Sequence, residues 1–137
     1  MLVVIYTPGF SPVRHRCTVE VSPSGHLRQI LSDCRKGEWT AIGPVYEVDL
    51  AAPQLESIDA AITRIDFQRL SARLRPRLDA SKLAIELHHP DRPPTRVEGP
   101  ILSYDRGYHD FRQRFEPAQQ LWKTVYSFLP KKFIECA

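Results

Sequence analysis

The sequence predicts a single α+β domain over residues 1–137, with a mostly antiparallel sheet and about three helices packed on it. Three observations lead there. Short apolar or alternating runs stand next to one another along the chain, as hairpin partners do. Apolar stripes at helical spacing fall between them without the regular strand–helix–strand alternation of a parallel sheet. Finally, a length of 137 residues and a mass of 15.8 kDa suit one domain, with a core that needs no metal or disulfide.

Residues 2–7, Leu-Val-Val-Ile-Tyr-Thr, are apolar and β-branched and end at Pro8-Gly9, which reads as a buried strand. Residues 16–21 read as a second, with Cys17, Val19 and Val21 on one face and Thr18 and Glu20 on the other. Residues 24–36 predict a helix. Leu27, Ile30, Leu31 and Cys34 make one apolar stripe, Ser22-Pro23 or Ser24 begins it, Arg35 and Lys36 suit the dipole at its end, and Gly37 stops it. Residues 38–50 are extended and broken at Gly43-Pro44, with Tyr46, Val48 and Leu50 alternating with Glu47 and Asp49.

Residues 54–66 suit either state. Leu55, Ile58, Ile62 and Ile65 keep helical spacing, yet Ile-Thr-Arg-Ile-Asp-Phe would also fit a strand. From Phe67 the residues Leu70, Leu74 and Leu78 restart a helical stripe, capped by Asp66 and bent or ended at Pro76. Residues 82–89 form the clearest strand, with Leu83, Ile85, Leu87 and His89 facing one way and Ala84, Glu86 and His88 the other. A proline-rich loop leads to an antiparallel partner over residues 96–104. Last, Phe111, Phe115, Ala118, Trp122, Val125 and Leu129 keep helical spacing, with Pro117 dividing two abutting helices or kinking one, and Pro130 closing the run.

Twelve prolines against six glycines punctuate the whole chain rather than marking one linker. Three cysteines, Cys17, Cys34 and Cys136, are an odd number without close pairing, which points to reduced thiols in a cytoplasmic setting. The opening Leu2-Val3-Val4-Ile5 is too short for a secretory apolar region, and no run is long enough to cross a membrane. The net charge of +3 is too small to imply nucleic acid by itself. It conceals a segregation. Residues 37–63 hold Glu38, Glu47, Asp49, Glu56 and Asp59 and no Lys or Arg, whereas residues 64–82 carry a net +4.

The candidate chemistry is spread thinly. His88 or His89 could act as a general base oriented by Asp91, although neighbours on a strand point to opposite faces and cannot both hold one metal. His15 and Cys17 share a strand face, as a nucleophile and base would, but no further zinc ligands lie close by; a small core thiol is the simpler reading. Asp105 and His109, with Asp110 beside them, could pair as acid and base, or simply start a helix. Arg69, Arg73 and Arg77 form a basic ridge that could grip phosphate, but without the interleaved aromatics of a nucleic-acid reader. GxGxxG, Walker A, HExxH, CxxC and GxSxG patterns are absent, so no cofactor or metal is expected.

In general layout the chain resembles the small cytosolic immunity proteins that bacteria make against secreted polymorphic toxins. The likeness lies in a short α+β domain without catalytic motifs. It extends to an aromatic-rich C-terminal segment, here residues 108–117 followed by Leu121-Trp122. The resemblance implies a non-enzymatic protein that binds and blocks one toxin, and it carries over no functional residue. Many such proteins use acidic surfaces; here only the 37–63 block could do so. Glu47, Asp49, Glu56 and Asp59 are accordingly the expected partner-binding residues. The alternatives are a small enzyme built on His88 or His109, and a nucleic-acid binder built on the arginine ridge.

Overall fold

A computed structural model describes residues 1–9, 15–68, 81–101 and 109–132, apart from the side chains of residue 101 and residues 109–114. The elements in chain order are β1 (Leu2–Thr7), β2 (His15–Val21), β3 (His26–Arg35), β4 (Glu38–Ala41), β5 (Tyr46–Asp49), α1 (Ala52–Thr63), β6 (Ser81–Leu87), β7 (Thr95–Ile101) and α2 (His109–Ser127). All strands join one antiparallel sheet in the order β4-β3-β2-β1-β6-β7, and β5 also pairs with β3, on the margin that it shares with β4.

This is the α+β class expected, with two helices among the described residues rather than about three. One correction falls at residues 24–36, of which His26–Arg35 form strand β3 and not a helix. Two turns decide it. Pro23 and Gly25 build the first: the Gly25 N–H donates to the Ser22 carbonyl at 3.0 Å, and Gly25 takes a φ of +94°. Lys36 and Gly37 form the second, both at positive φ, between the paired Arg35 and Glu38. A two-residue hairpin needs that conformation. The same glycine that would stop a helix therefore reverses a strand. In β3 the apparent helical stripe splits, because Leu27 and Leu31 fall on one face and Ile30 and Cys34 on the other.

The ambiguous segment resolves as α1. Pro53 sits in its first turn, where no N–H is missed, and the Gln54 side chain accepts the Ala51 N–H at 2.8 Å. The predicted helix from Phe67 onward lies mostly outside the described residues. β6 stops at Leu87, so His88 and His89 follow the strand rather than end it. α2 runs through Pro117 as one helix.

Both helices cover the same sheet face. Leu2, Val4, Tyr6, Cys17, Val19, Val21, Leu27, Leu83, Ile85 and Val97 meet Ile58 and Ala61 of α1 and Phe115, Ala118, Leu121, Trp122 and Val125 of α2. Val4 lies directly between Val19 and Ile85, all three fully buried. Trp122 stacks on Tyr6, with ring centroids 5.2 Å apart and planes 8° from parallel. The buried side chain of Gln29 sits among these apolar groups and donates to the Lys131 carbonyl at 2.9 Å while accepting the Lys131 N–H at 3.1 Å. It thereby fastens the chain beyond α2 to the middle of β3.

Candidate functional site

The face opposite the helices carries a transverse row of charges. The register sets Glu47 of β5 beside Arg28 of β3, Arg28 beside Glu20 of β2, and, past Val3 of β1, Glu86 of β6 beside Arg96 of β7. Arg96 bonds both Glu86 and Glu98, and His88 Nε2 lies 2.9 Å from Glu86. Burial works to raise the Glu86 carboxyl pKa; the bonds from His88 and Arg96 outweigh it and hold the group below the usual carboxylate range.

The β5 end of this row is the first half of the expected acidic patch. Asp49 Oδ1 is 2.8 Å from His26 Nδ1, Glu47 Oε1 is 3.0 Å from His26 Nε2, and the Arg28 Nε is 3.4 Å from the same Glu47 oxygen. Asp49 remains 87% exposed in spite of its bond. The second half, Glu56 and Asp59, lies one turn apart on exposed positions of α1, which begins three residues after Asp49. The four carboxylates thus fall into two pairs. One is bonded to basic side chains of β3, and the other has no ion pair among the described residues.

Sequence pattern did not foresee the apolar component of this margin. Ile42, Val45 and Val48 are 39%, 41% and 36% exposed, and they are three of the four large hydrophobic side chains exposed among the described residues. All lie on the short β4–β5 margin, where Val48 pairs with Leu27 on the helix side of the sheet, while half-buried Trp39 pairs with Cys34 on the other side, under the Arg16 guanidinium at 4.4 Å from its ring centre. β4 and β5 pair only with β3 among the described residues. Exposed apolar side chains rimmed by charge on a sheet edge are the usual mark of a protein-binding surface.

A second feature is a half-open cleft of about 250 Å³ where β1 starts and β2 and β6 end. Leu2, Val21, Ile58, Ile62 and Leu87 wall it, and Asp59, His88 and His89 reach it. His88 is oriented by Glu86, and His89 Nε2 meets the Thr95 hydroxyl at 3.3 Å. Neither ring bonds Asp91, the carboxylate expected to orient them. The cleft therefore gathers one acid of the expected patch with His88, one of the two histidines of the enzymatic alternative, and its neighbour His89.

The remaining candidates resolve simply. Cys17 is a core residue beside Val19, and burial pushes its thiol up to about 12, with a weaker opposing bond from Gln29 at 3.8 Å. A thiol held protonated is no nucleophile at neutral pH. No group of three or more His, Cys, Asp or Glu among the described residues is placed to hold a metal ion. Arg69, Arg73, Arg77 and Asp105, and the side chains of His109 and Asp110, lie outside the described residues. No helix among the described residues is long and apolar enough to cross a membrane. No known protein family and no curated protein matches the chain.

Proposed function

We propose that this chain is a non-enzymatic protein-binding module, an immunity protein that neutralises a toxin by direct contact, and that the β4–β5 margin with the start of α1 is its binding surface. One observation carries the reading: Ile42, Val45 and Val48 are exposed together within the one stretch, residues 37–63, that contains five acids and no Lys or Arg. Apolar side chains there would supply affinity, and Glu47, Asp49, Glu56 and Asp59 would steer a cationic partner into register. The toxin as partner comes from the resemblance in layout; the cationic surface comes from the charge.

The test is capture of the partner by photocrosslinking from a benzoylphenylalanine at position 45, followed by association kinetics with purified components. Val45→Asp is expected to weaken binding at least tenfold, about 1.4 kcal/mol. Reversal of all four acids is expected to slow association and flatten its dependence on salt. Unchanged kinetics in both variants would remove this surface. A captured partner that is harmless to cells lacking this chain would remove the immunity role and leave protein binding standing.

The cleft favours a second reading, a small enzyme with His88 as base and Glu86 as its orienting carboxylate. Substrate-free binding to the partner by a His88→Ala variant, with kinetics equal to those of the parent, separates the two.

A further inference from the structure

We propose that His26 is a pH-operated clamp that holds the β5 margin against β3 and masks two of its carboxylates, a regulation that rests on the binding role given above. His26 opens β3 and sits directly across from Asp49 in the register. Its two ring nitrogens lie 2.8 Å from Asp49 and 3.0 Å from Glu47. A neutral imidazole has a single N–H, so its other nitrogen would turn a lone pair toward a carboxylate. Only the imidazolium donates to both. The geometry is therefore that of a protonated ring.

The groups around the ring reinforce this. From β5 come Asp49 and Glu47; on β3 itself, Arg28 reaches Glu47; and from β2, Glu20 lies 3.8 Å from Arg28. The turn before β3 adds only neutral hydroxyls, Ser22 and Ser24, and Ser22 Oγ accepts the His26 N–H at 3.0 Å. The bond to Asp49, then that to Glu47, holds the His26 pKa above its ordinary value, against a smaller desolvation effect.

The two carboxylates respond differently to loss of the proton. Glu47 keeps Arg28, whereas Asp49 has no other cation among the described residues. Asp49 is the charge that deprotonation frees. Because the folded pKa is raised, the clamp is complete below the ordinary histidine value of about 6.5 and is lost as pH rises through the raised value. Rising pH thus loosens β5 and makes the margin more negative toward a cationic partner. A single exposed ion pair adds little to global stability. Here it acts on a four-residue strand that pairs only with β3 among the described residues, where local opening needs few bonds to break.

The experiment is NMR on the full chain without any partner, over about pH 5 to 9, a window that spans the histidine titration and that free thiols and the α-amino group enter only toward its alkaline end. The His26 ring is titrated, and exchange of the Leu50 amide, bonded to the Gly25 carbonyl at 2.8 Å, is followed with the β5 amides. Protection corrected for intrinsic exchange is expected to fall with the ring's own midpoint. Linkage fixes the total factor: ten raised to the difference between the ring's pKa in the chain and in an unfolded peptide. Val4, in the sheet centre, should not respond, and His26→Gln should flatten the profile at Leu50. Constant protection across the His26 titration, or the same fall in His26→Gln, overturns the clamp. That outcome is independent of the partner-binding kinetics, which test the surface itself.

Discussion

Replacing Gln29 tests the most unusual contact in the core. Its side chain is fully buried, yet it is amide rather than hydrocarbon, and it makes two bonds to the backbone of Lys131, 102 positions away. Gln29→Ala removes both bonds, worth about 1 kcal/mol each because exposed Lys131 regains water, and roughly one buried methylene, about 0.8 kcal/mol. With the space left behind, the loss is about 3 kcal/mol, or roughly a 10 °C fall in Tm for a chain of this size. Gln29→Met keeps the volume and gains apolar burial, so it should cost only about 1 kcal/mol. Urea unfolding gives the energies, and hydrogen exchange gives the specific sign. The Lys131 amide should lose protection in both variants while Val4 and Val19 amides in Gln29→Met keep theirs. If Gln29→Ala costs less than about 1 kcal/mol, or the Lys131 amide exchanges as before, the fastening does not exist in solution.

Other expectations concern the core and the charged row. Trp122→Ala removes the ring stacked on Tyr6 and should cost about 3–5 kcal/mol, read by urea unfolding together with loss of near-UV ellipticity. Cys17, its thiol pushed up to about 12, should resist iodoacetamide at neutral pH until denaturant is added, so mass spectrometry should find it unmodified in the folded chain. Glu86 has a lowered folded pKa, so its contribution is present above the ordinary glutamate value and lost as pH falls through the lowered one. Glu86→Gln should therefore flatten the acid limb of a stability–pH curve and leave the alkaline limb unchanged.

Legibility followed how far an element's pattern depended on its neighbours. β1, β2 and β6 announce themselves because one face of each is filled by the core, so Leu2, Val4 and Tyr6, then Cys17, Val19 and Val21, then Leu83 and Ile85 recur at a spacing of two. α2 is equally plain, since Phe115, Ala118, Trp122 and Val125 carry its buried stripe through Pro117. β3 carries a helical pattern in the sequence because its inward face holds Gln29 and Asp33 where hydrocarbon would be expected, and its outward face holds Ile30. A polar side chain that is buried by its tertiary partner, Lys131 here, leaves no local trace. The turn Ser22-Pro23-Ser24-Gly25 was the signal available, because proline followed by glycine at that interval suits a hairpin better than a helix start. At the candidate site the acids were visible from composition alone. Their division into a pair bonded to basic side chains and a pair without an ion partner among the described residues depends on where His26 and Arg28 fall across the sheet, which only strand register determines.

The place of β1 in the middle of the sheet bears on how the chain is made. Its pairing with β2 closes a short loop, but its other neighbour is β6, some eighty residues later in the sequence. During synthesis the β1–β2–β3 meander can assemble as soon as it leaves the ribosome, while the open side of β1 and the apolar surface destined for Trp122 wait for most of the polypeptide to emerge. A nascent chain stalled before Ser81 would expose a sticky half-sheet. Chaperone dependence should therefore fall sharply once β6 has been released.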